Sequence, residues 1–296
     1  MKKIGFIGLG IMGKPMSLNL MKAGYDLVVY ARSQDVREAL AAAGAAIADS
    51  PKAVAEEADC IITMLPNSPE VKEVVLGANG IIEGVREGSI LIDMSSIAPL
   101  ASQEIAARLA EAGAEMLDAP VSGGEPKAID GTLSVMVGGK KEVFDKCYDI
   151  MKSMAGSVVL TGHIGAGNTT KLANQIIVAL NIAAMSEGLV LASKAGVDPD
   201  LVYQAIRGGL AGSTVLDAKA PLVMDRKFDP GFRIELHMKD LGNALETSHE
   251  LGVPLPLTAA IMEQMQSLKV DGLQGLDHGA IVRFYEKLSG VEVKRQ

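Results

Sequence analysis

Lys171 lies in GAGNTTKLANQIIVALNIAAMSEGL, a stretch from Gly165 whose other residues are mostly small or aliphatic. A lysine in so apolar a helix either reaches water from the helix end or serves chemistry, because an ammonium is costly to bury alone. Its place early in the helix sets it against the positive end of the helix dipole. With partial burial, that favours the neutral amine that acid/base work requires. Asn174 and Gln175 follow at offsets of three and four residues, on the same helix face. In VSGGEP, Ser122 offers a hydroxyl while Gly123 and Gly124 expose backbone N–H groups, a set suited to an anion. Read without a ligand, that segment is an ordinary turn between two strands.

IGFIGLGIMGKPMSLNLMKAG places Gly8, Gly10 and Gly13 in GxGxxG spacing, after a strand pattern and ahead of a helix pattern. Gly8 permits the tight turn, Gly10 lets backbone approach a pyrophosphate, and Gly13 lets helix and strand pack closely. Leu9, Ile11 and Met12 complete the loop, which reads as a dinucleotide site. The second strand ends VVYARSQD without the acid that would grip a ribose hydroxyl. Arg32 and Ser33 stand there instead, suited to the 2′-phosphate of NADP, although Arg32 can equally stack on the adenine of NAD. The reading leans to NADP over NAD.

The elements that must hold these groups fall into two sets. From Lys3 to about Gly162, the runs KIGFIGL, DLVVYA, CIITMLP, SILIDMS, EMLDAP, LSVMVGG and SVVLTG alternate with helical patterns. Runs apolar on both faces, alternating with helices, predict a mainly parallel sheet covered on two sides. Beyond that point only helices are expected, beginning with one long helix from Ala166. The expected fold is therefore α/β, a Rossmann-type dinucleotide-binding domain over 1–162 followed by an all-α domain over 163–296. The closing EVKRQ reads as a solvated tail.

Composition narrows the function. A net charge of −8 argues against a nucleic-acid partner. The apolar window 176–192 contains Asn181, Ser186, Glu187 and Gly188, which makes it a buried helix rather than a membrane span. The glycine-broken N-terminus reads as a strand and not a leader, in a cytoplasmic protein. Cys60 and Cys147, in unrelated contexts, read as reduced core residues. His163, His237, His249 and His278 show no metal spacing, so no metal is expected. His237 alone draws interest, two residues before Lys239.

DAPVSGGEPKAIDGTLSVMVGG from Asp118, GAGNTTKLANQ from Gly165 and MKDLGNAL from Met238 follow the glycine motif in that order. Together they resemble the β-hydroxyacid dehydrogenases over essentially the whole chain. The resemblance implies NAD(P)H-dependent reduction of a small, carboxylate-bearing semialdehyde to a hydroxyacid, and the reverse. It implies Lys171 as the catalytic acid/base, and Ser122, Gly123 and Gly124 as the carboxylate holders. Leu65 and Pro66 would line the cofactor cleft, Ser96 would approach the nicotinamide, and Lys239 would be a second lysine near cofactor and substrate. Within the family, DMSSIAPLAS, VALNIAAMSEGL and RGGLAGSTVLDAKAP are similar to the branch that interconverts tartronate semialdehyde and glycerate. Alternatives are 3-hydroxyisobutyrate, glyoxylate or succinic semialdehyde as substrate, and a catalytically inactive cofactor-binding scaffold. Many relatives carry asparagine where this chain has Gln175, so either Asn174 or Gln175 is expected to orient substrate. The family tendency implies a homo-oligomer, dimer or tetramer.

Overall fold

The computed structural model describes residues 3–295. The chain divides into two compact units, the first ending at Lys171 and the second beginning at Leu172.

In the first unit, β1 (Lys3–Ile7), α1 (Gly13–Lys22), β2 (Asp26–Tyr30), α2 (Gln34–Ala42), β3 (Ala46–Ile47), α3 (Pro51–Glu57) and β4 (Cys60–Thr63) follow in order. Then come α4 (Ser68–Leu76), β5 (Ile90–Asp93), α5 (Pro99–Glu111), β6 (Glu115–Asp118), β7 (Val121–Ser122), α6 (Gly124–Asp130), β8 (Leu133–Gly138), α7 (Lys141–Lys152) and β9 (Ala155–Gly162). The sheet runs β3-β2-β1-β4-β5-β6-β8-β7, with β9 on β8. Every pairing from β3 through β6 is parallel, and β8 turns antiparallel against β6 and β7.

Two-sided burial explains the parallel part. Successive strand residues point to opposite faces, so Phe6, Val29, Ile62 and Ile92 enter one core layer while Ile7, Val28, Ile61 and Leu91 enter the other. Cys60 and Cys147 are free thiols in the same layer, from β4 and α7, contexts that look unrelated in sequence. Strand order reverses between β1 and β4, whose last residues Ile7 and Thr63 are in register. Ligands of such sheets bind beyond the carboxyl ends at this switch point.

The long helix α8 (Ala166–Lys194) starts in the first unit and continues into the second, which adds α9 (Pro199–Ile206), α10 (Thr214–Met224), α11 (Ile234–Glu250), α12 (Pro256–Val270) and α13 (Val282–Ser289). α8 has the length and apolar character of a membrane span, with a mean hydropathy of 1.9 over its best window. Ala179, Ile182, Ala183, Leu189 and Val190 of that helix are buried in the core of the second unit, together with Leu241, Ile261, Met265 and Ile281. Packing inside a protein core thus accounts for part of its apolar sequence, while Ile177 and Leu191 of the same helix are exposed.

Local readings change at two places, and one alternative falls. The alternative of a plain strand-to-strand turn at VSGGEP fails because Gly124 opens α6 directly. α3 had no counterpart in the sequence reading; it is a seven-residue helix started by the Ser50 hydroxyl, which accepts from Ala53 N–H, and by Pro51. The C-terminal segment is no solvated tail as far as Arg295: Val293 is fully buried, and Arg295 pairs with Asp200 and Asp225. Gln296 lies outside the described residues.

Candidate active site

The loop after β1 separates its three glycines by purpose. Gly8 has φ +95°, and a Cβ there would lie 2.2 Å from the Met64 carbonyl oxygen. A Cβ on Gly13 would lie 1.9 Å from the Gly8 oxygen. Both positions are glycine because backbone packs on backbone. Gly10 differs, since its φ is ordinary and a Cβ there would meet nothing within 4 Å. The fold therefore does not require glycine at position 10, whereas a phosphate lying against the loop does, and this fits a dinucleotide. Leu9 is buried beneath the loop and Ile11 is exposed on it. Met12 is the N-cap of α1 and makes no side-chain capping bond, and Lys14 N–H donates to the Gly10 carbonyl at 3.0 Å. A cavity of about 430 Å³ opens against Leu9, Gly10 and Ile11 and reaches Val36 and Glu125.

This contrast gives a prediction. Gly13→Ala should lower stability by roughly 1–3 kcal/mol through overpacking. Gly10→Ala should melt like the parent yet bind dinucleotide at least about tenfold more weakly, because the methyl occupies the path of the pyrophosphate. Thermal melts and NADPH fluorescence titration measure the two effects, and unaltered binding by Gly10→Ala would remove the loop from the cofactor site.

At the end of β2, Arg37 donates to the Ala31 carbonyl and lies over the Tyr30 ring. Arg32 and Ser33 are exposed. Ser33 occupies the N-cap position of α2 without a side-chain capping bond. Leu65 and Pro66 follow β4, and Leu65 N–H donates to Ser95 Oγ at 2.9 Å, tying the ends of β4 and β5 together. Ser96, half-buried, is the next residue.

Lys171 is held through the first turn of α8. Asp118, fully buried at the end of β6, accepts from Gly165 N–H at 2.7 Å and, through its other oxygen, from Asn168 N–H at 2.7 Å. The Asn168 amide accepts from Ile97 N–H at 3.0 Å and donates to Ser102 Oγ at 3.0 Å. That bond anchors the helix beside the segment carrying Ser96. A Cβ on Gly167 would come within 2.4 Å of the Asp118 carbonyl oxygen, so helix and strand touch without side chains between them. Lys171 comes one turn later and is only 5% exposed.

Burial pushes the Asp118 carboxyl up to about 7, against the two N–H bonds that favour its ionised form, and neighbouring Asp93 pushes the same way as burial. Asp93 itself accepts from the Thr63 hydroxyl at 2.8 Å and from Ser95 N–H at 3.2 Å.

Four residues beyond Asp118, Ser122 ends β7, paired with Ser134. Gly123 at φ +139° and Gly124 at φ +68° carry the chain into α6, conformations that side chains resist. Asp118 thus anchors the start of α8 and lies four residues before the Ser-Gly-Gly turn in sequence.

In the second unit, Gln175 Nε2 donates to Asp240 Oδ2 at 2.6 Å, and its Oε1 accepts from Asn174 Nδ2 at 2.8 Å. Lys239 Nζ lies 2.8 Å from Asp240 Oδ1. Asn174, Gln175 and Lys239 are therefore joined in one row by Asp240, with both ends of the Gln175 amide engaged. Sequence reading missed Asp118, Asn168 and Asp240. The signals were present in the DAP ahead of the Ser-Gly-Gly turn and in the KD of MKDL.

Known proteins match this chain along most of its length. The family of the NAD-binding domain of 6-phosphogluconate dehydrogenase matches residues 3–165. The family described as NAD-binding of NADP-dependent 3-hydroxyisobutyrate dehydrogenase matches residues 165–285. The chain is 44% identical over 287 residues to the 2-hydroxy-3-oxopropionate reductase of Escherichia coli (strain K12), covering 97% of this chain and 98% of that protein. It is 36% identical over 288 residues to mitochondrial 3-hydroxyisobutyrate dehydrogenase of Mus musculus, covering 95% and 86%. The structure of Mycobacterium tuberculosis 3-hydroxyisobutyrate dehydrogenase with L-serine matches at TM-score 0.90 and 30% identity, covering 96% of this chain and 99% of that one. Likeness that runs through the glycine loop, the Ser-Gly-Gly turn and the helical unit alike places the chain in the β-hydroxyacid dehydrogenase family, NAD- or NADP-dependent oxidoreductases acting on a CH–OH group.

Proposed function

We propose that this protein is a 2-hydroxy-3-oxopropionate reductase, converting tartronate semialdehyde to glycerate and running also in reverse. The observation that carries the chemistry is buried Lys171, one turn beyond an Asn168 that both main chain and side chain pin in place. Higher identity to the bacterial 2-hydroxy-3-oxopropionate reductase than to the mouse 3-hydroxyisobutyrate dehydrogenase supports the choice of substrate.

The bound nicotinamide supplies the hydride for the aldehyde carbon. Negative charge then develops on the aldehyde oxygen, and Lys171 Nζ gives that oxygen its proton, leaving a primary alcohol. The Ser122 hydroxyl and the N–H groups of Gly123 and Gly124 hold the carboxylate and fix which carbon faces the hydride donor. Lys239 and either Asn174 or Gln175 would supply polar groups for the 2-hydroxyl, a feature that a methyl-bearing substrate lacks. Arg32 and Ser33 favour NADPH through the 2′-phosphate. The remaining parts of the reading are a cytoplasmic location and assembly as a homo-oligomer, dimer or tetramer, which light scattering sizes.

Initial rates with NADH and NADPH across tartronate semialdehyde, glyoxylate and succinic semialdehyde, and with NAD+ and NADP+ for 3-hydroxyisobutyrate, test substrate and cofactor together. Tartronate semialdehyde with NADPH should give a kcat/KM at least about tenfold above every other pairing, the size of one well-placed polar discrimination. A larger value for 3-hydroxyisobutyrate would overturn the substrate assignment. A larger value with NADH would overturn the cofactor preference.

A further inference from the structure

His237 on α11 and His278, in the short 3-10 turn His278–Ile281 before α13, lie 41 residues apart in sequence. Both rings are buried, with Nδ1 of one 3.0 Å from Nδ1 of the other. His237 Nε2 lies 3.0 Å from the main-chain oxygen of Gln175 on α8. Phe232 meets both rings edge-on, at centroid distances of 5.7 and 5.4 Å.

These contacts dictate where the protons sit. A carbonyl oxygen only accepts, so His237 Nε2 carries hydrogen. Two N–H groups cannot face each other across 3.0 Å, so only one proton lies between the Nδ1 atoms. If His237 held that proton as well, it would be a cation with no exposed surface, which desolvation disfavours. The arrangement left is a neutral His237 that donates through Nε2 and accepts at Nδ1 from His278 Nδ1–H.

Asp277, Asp240 and Arg233, near the pair in sequence, have partners of their own in the same unit. Asp277, next to His278, binds Lys219 Nζ from α10 and accepts from Gly231, Phe232 and Gly279 N–H groups. Asp240, one turn beyond His237 on α11, accepts from Gln175 and faces Lys239. Arg233, just before α11, pairs with Glu235.

We propose that His237 and His278 form a one-proton positioning pair, which clamps the Gln175 turn of α8 and so sets the Gln175–Asp240–Lys239 row that meets the substrate. The inference rests on the function proposed above for its link to substrate binding, but its proton arrangement does not. The carbonyl of Gln175 is held by His237 and its side chain by Asp240, both from one face of α11. Loss of the pair therefore loosens the side chain that Asp240 must find. The cofactor loop belongs to other elements and should not respond.

Protein labelled with ¹⁵N-histidine, read by long-range ¹H–¹⁵N correlation at pH 6 to 8, should show His237 as the neutral Nε2–H tautomer and His278 protonated at Nδ1. His278→Leu removes the donor, while His278→Asn keeps one near the Nδ1 position. The leucine variant should raise the semialdehyde KM about tenfold, leave the dinucleotide KM within twofold, and lose exchange protection of the Gln175 side-chain amide. The asparagine variant should restore both to within threefold. A His237 carrying hydrogen on Nδ1 would overturn the pair. Unchanged Gln175 protection in His278→Leu, or a parallel rise in both KM values, would overturn its positioning role. If the wild-type protein reduces no semialdehyde, the proposed function fails, while the tautomers and the Gln175 amide still decide the pair.

Discussion

Lys171→Ala should lower kcat for the semialdehyde by about 10²–10⁴-fold, the range for loss of a positioned proton donor. Dinucleotide affinity should stay near that of the parent, because the glycine loop belongs to the β1–α1 connection and not to α8. The bland alternative, a lysine that only solvates a helix end, predicts less than about a twofold change, since exposed helix-surface charges contribute little. At 5% exposure, Lys171 does not fit that alternative well. Lys171→Arg separates proton transfer from simple attraction for the substrate's carboxylate. Arginine keeps the charge but holds its proton at any working pH, so it should preserve much of the substrate KM and little of kcat. Restoration of kcat by added small amines in Lys171→Ala, and not in Lys171→Arg, would complete the assignment. A folded Lys171→Ala with near-parental turnover would end it.

The parallel core, the helical second unit and the glycine motif could be read from sequence because each has a local physical signature. Runs such as CIIT and ILID are apolar at consecutive positions, and only a strand covered on both faces hides them. Two-residue strands such as β3 and β7 carry no period, so pattern reading passes over them. α6 was hidden by Gly123 and Gly124, whose positive φ values reconcile a glycine turn with an immediate helix start. The larger omissions were contacts remote in sequence. Asp118 reads as the tail of EMLDAP, and its hold on Gly165 and Asn168 spans 47 and 50 residues. The histidine pair, likewise, looked like two unrelated residues until α11 and the turn before α13 came together.

Asp118→Asn should cut kcat/KM on the order of 10²-fold without touching any group that meets substrate, because displacing a catalytic group by about 1 Å can cost that much. An asparagine has one oxygen for the two N–H groups of Gly165 and Asn168, and its own N–H₂ confronts the other. The unmet donor should destabilise the protein by about 1–3 kcal/mol. The pH dependence of that difference distinguishes Asp118 from a passive hydrogen-bond partner. An acid whose pKa rises on folding, here to about 7, binds its proton more tightly in the native state than in the unfolded chain. Its contribution to stability is therefore full below the ordinary carboxylate value near 4 and is lost as pH climbs through about 7. Asparagine does not titrate, so the stability gap between parent and variant should be larger at pH 5 than at pH 8. Urea unfolding of both proteins at the two pH values measures it. A gap that stays constant or widens toward pH 8 would mean that the two helix N–H groups, rather than burial, dominate this carboxylate. Burial thus penalises the ionised form of Asp118, the form whose two oxygens best grip the start of α8 and set the position of Lys171.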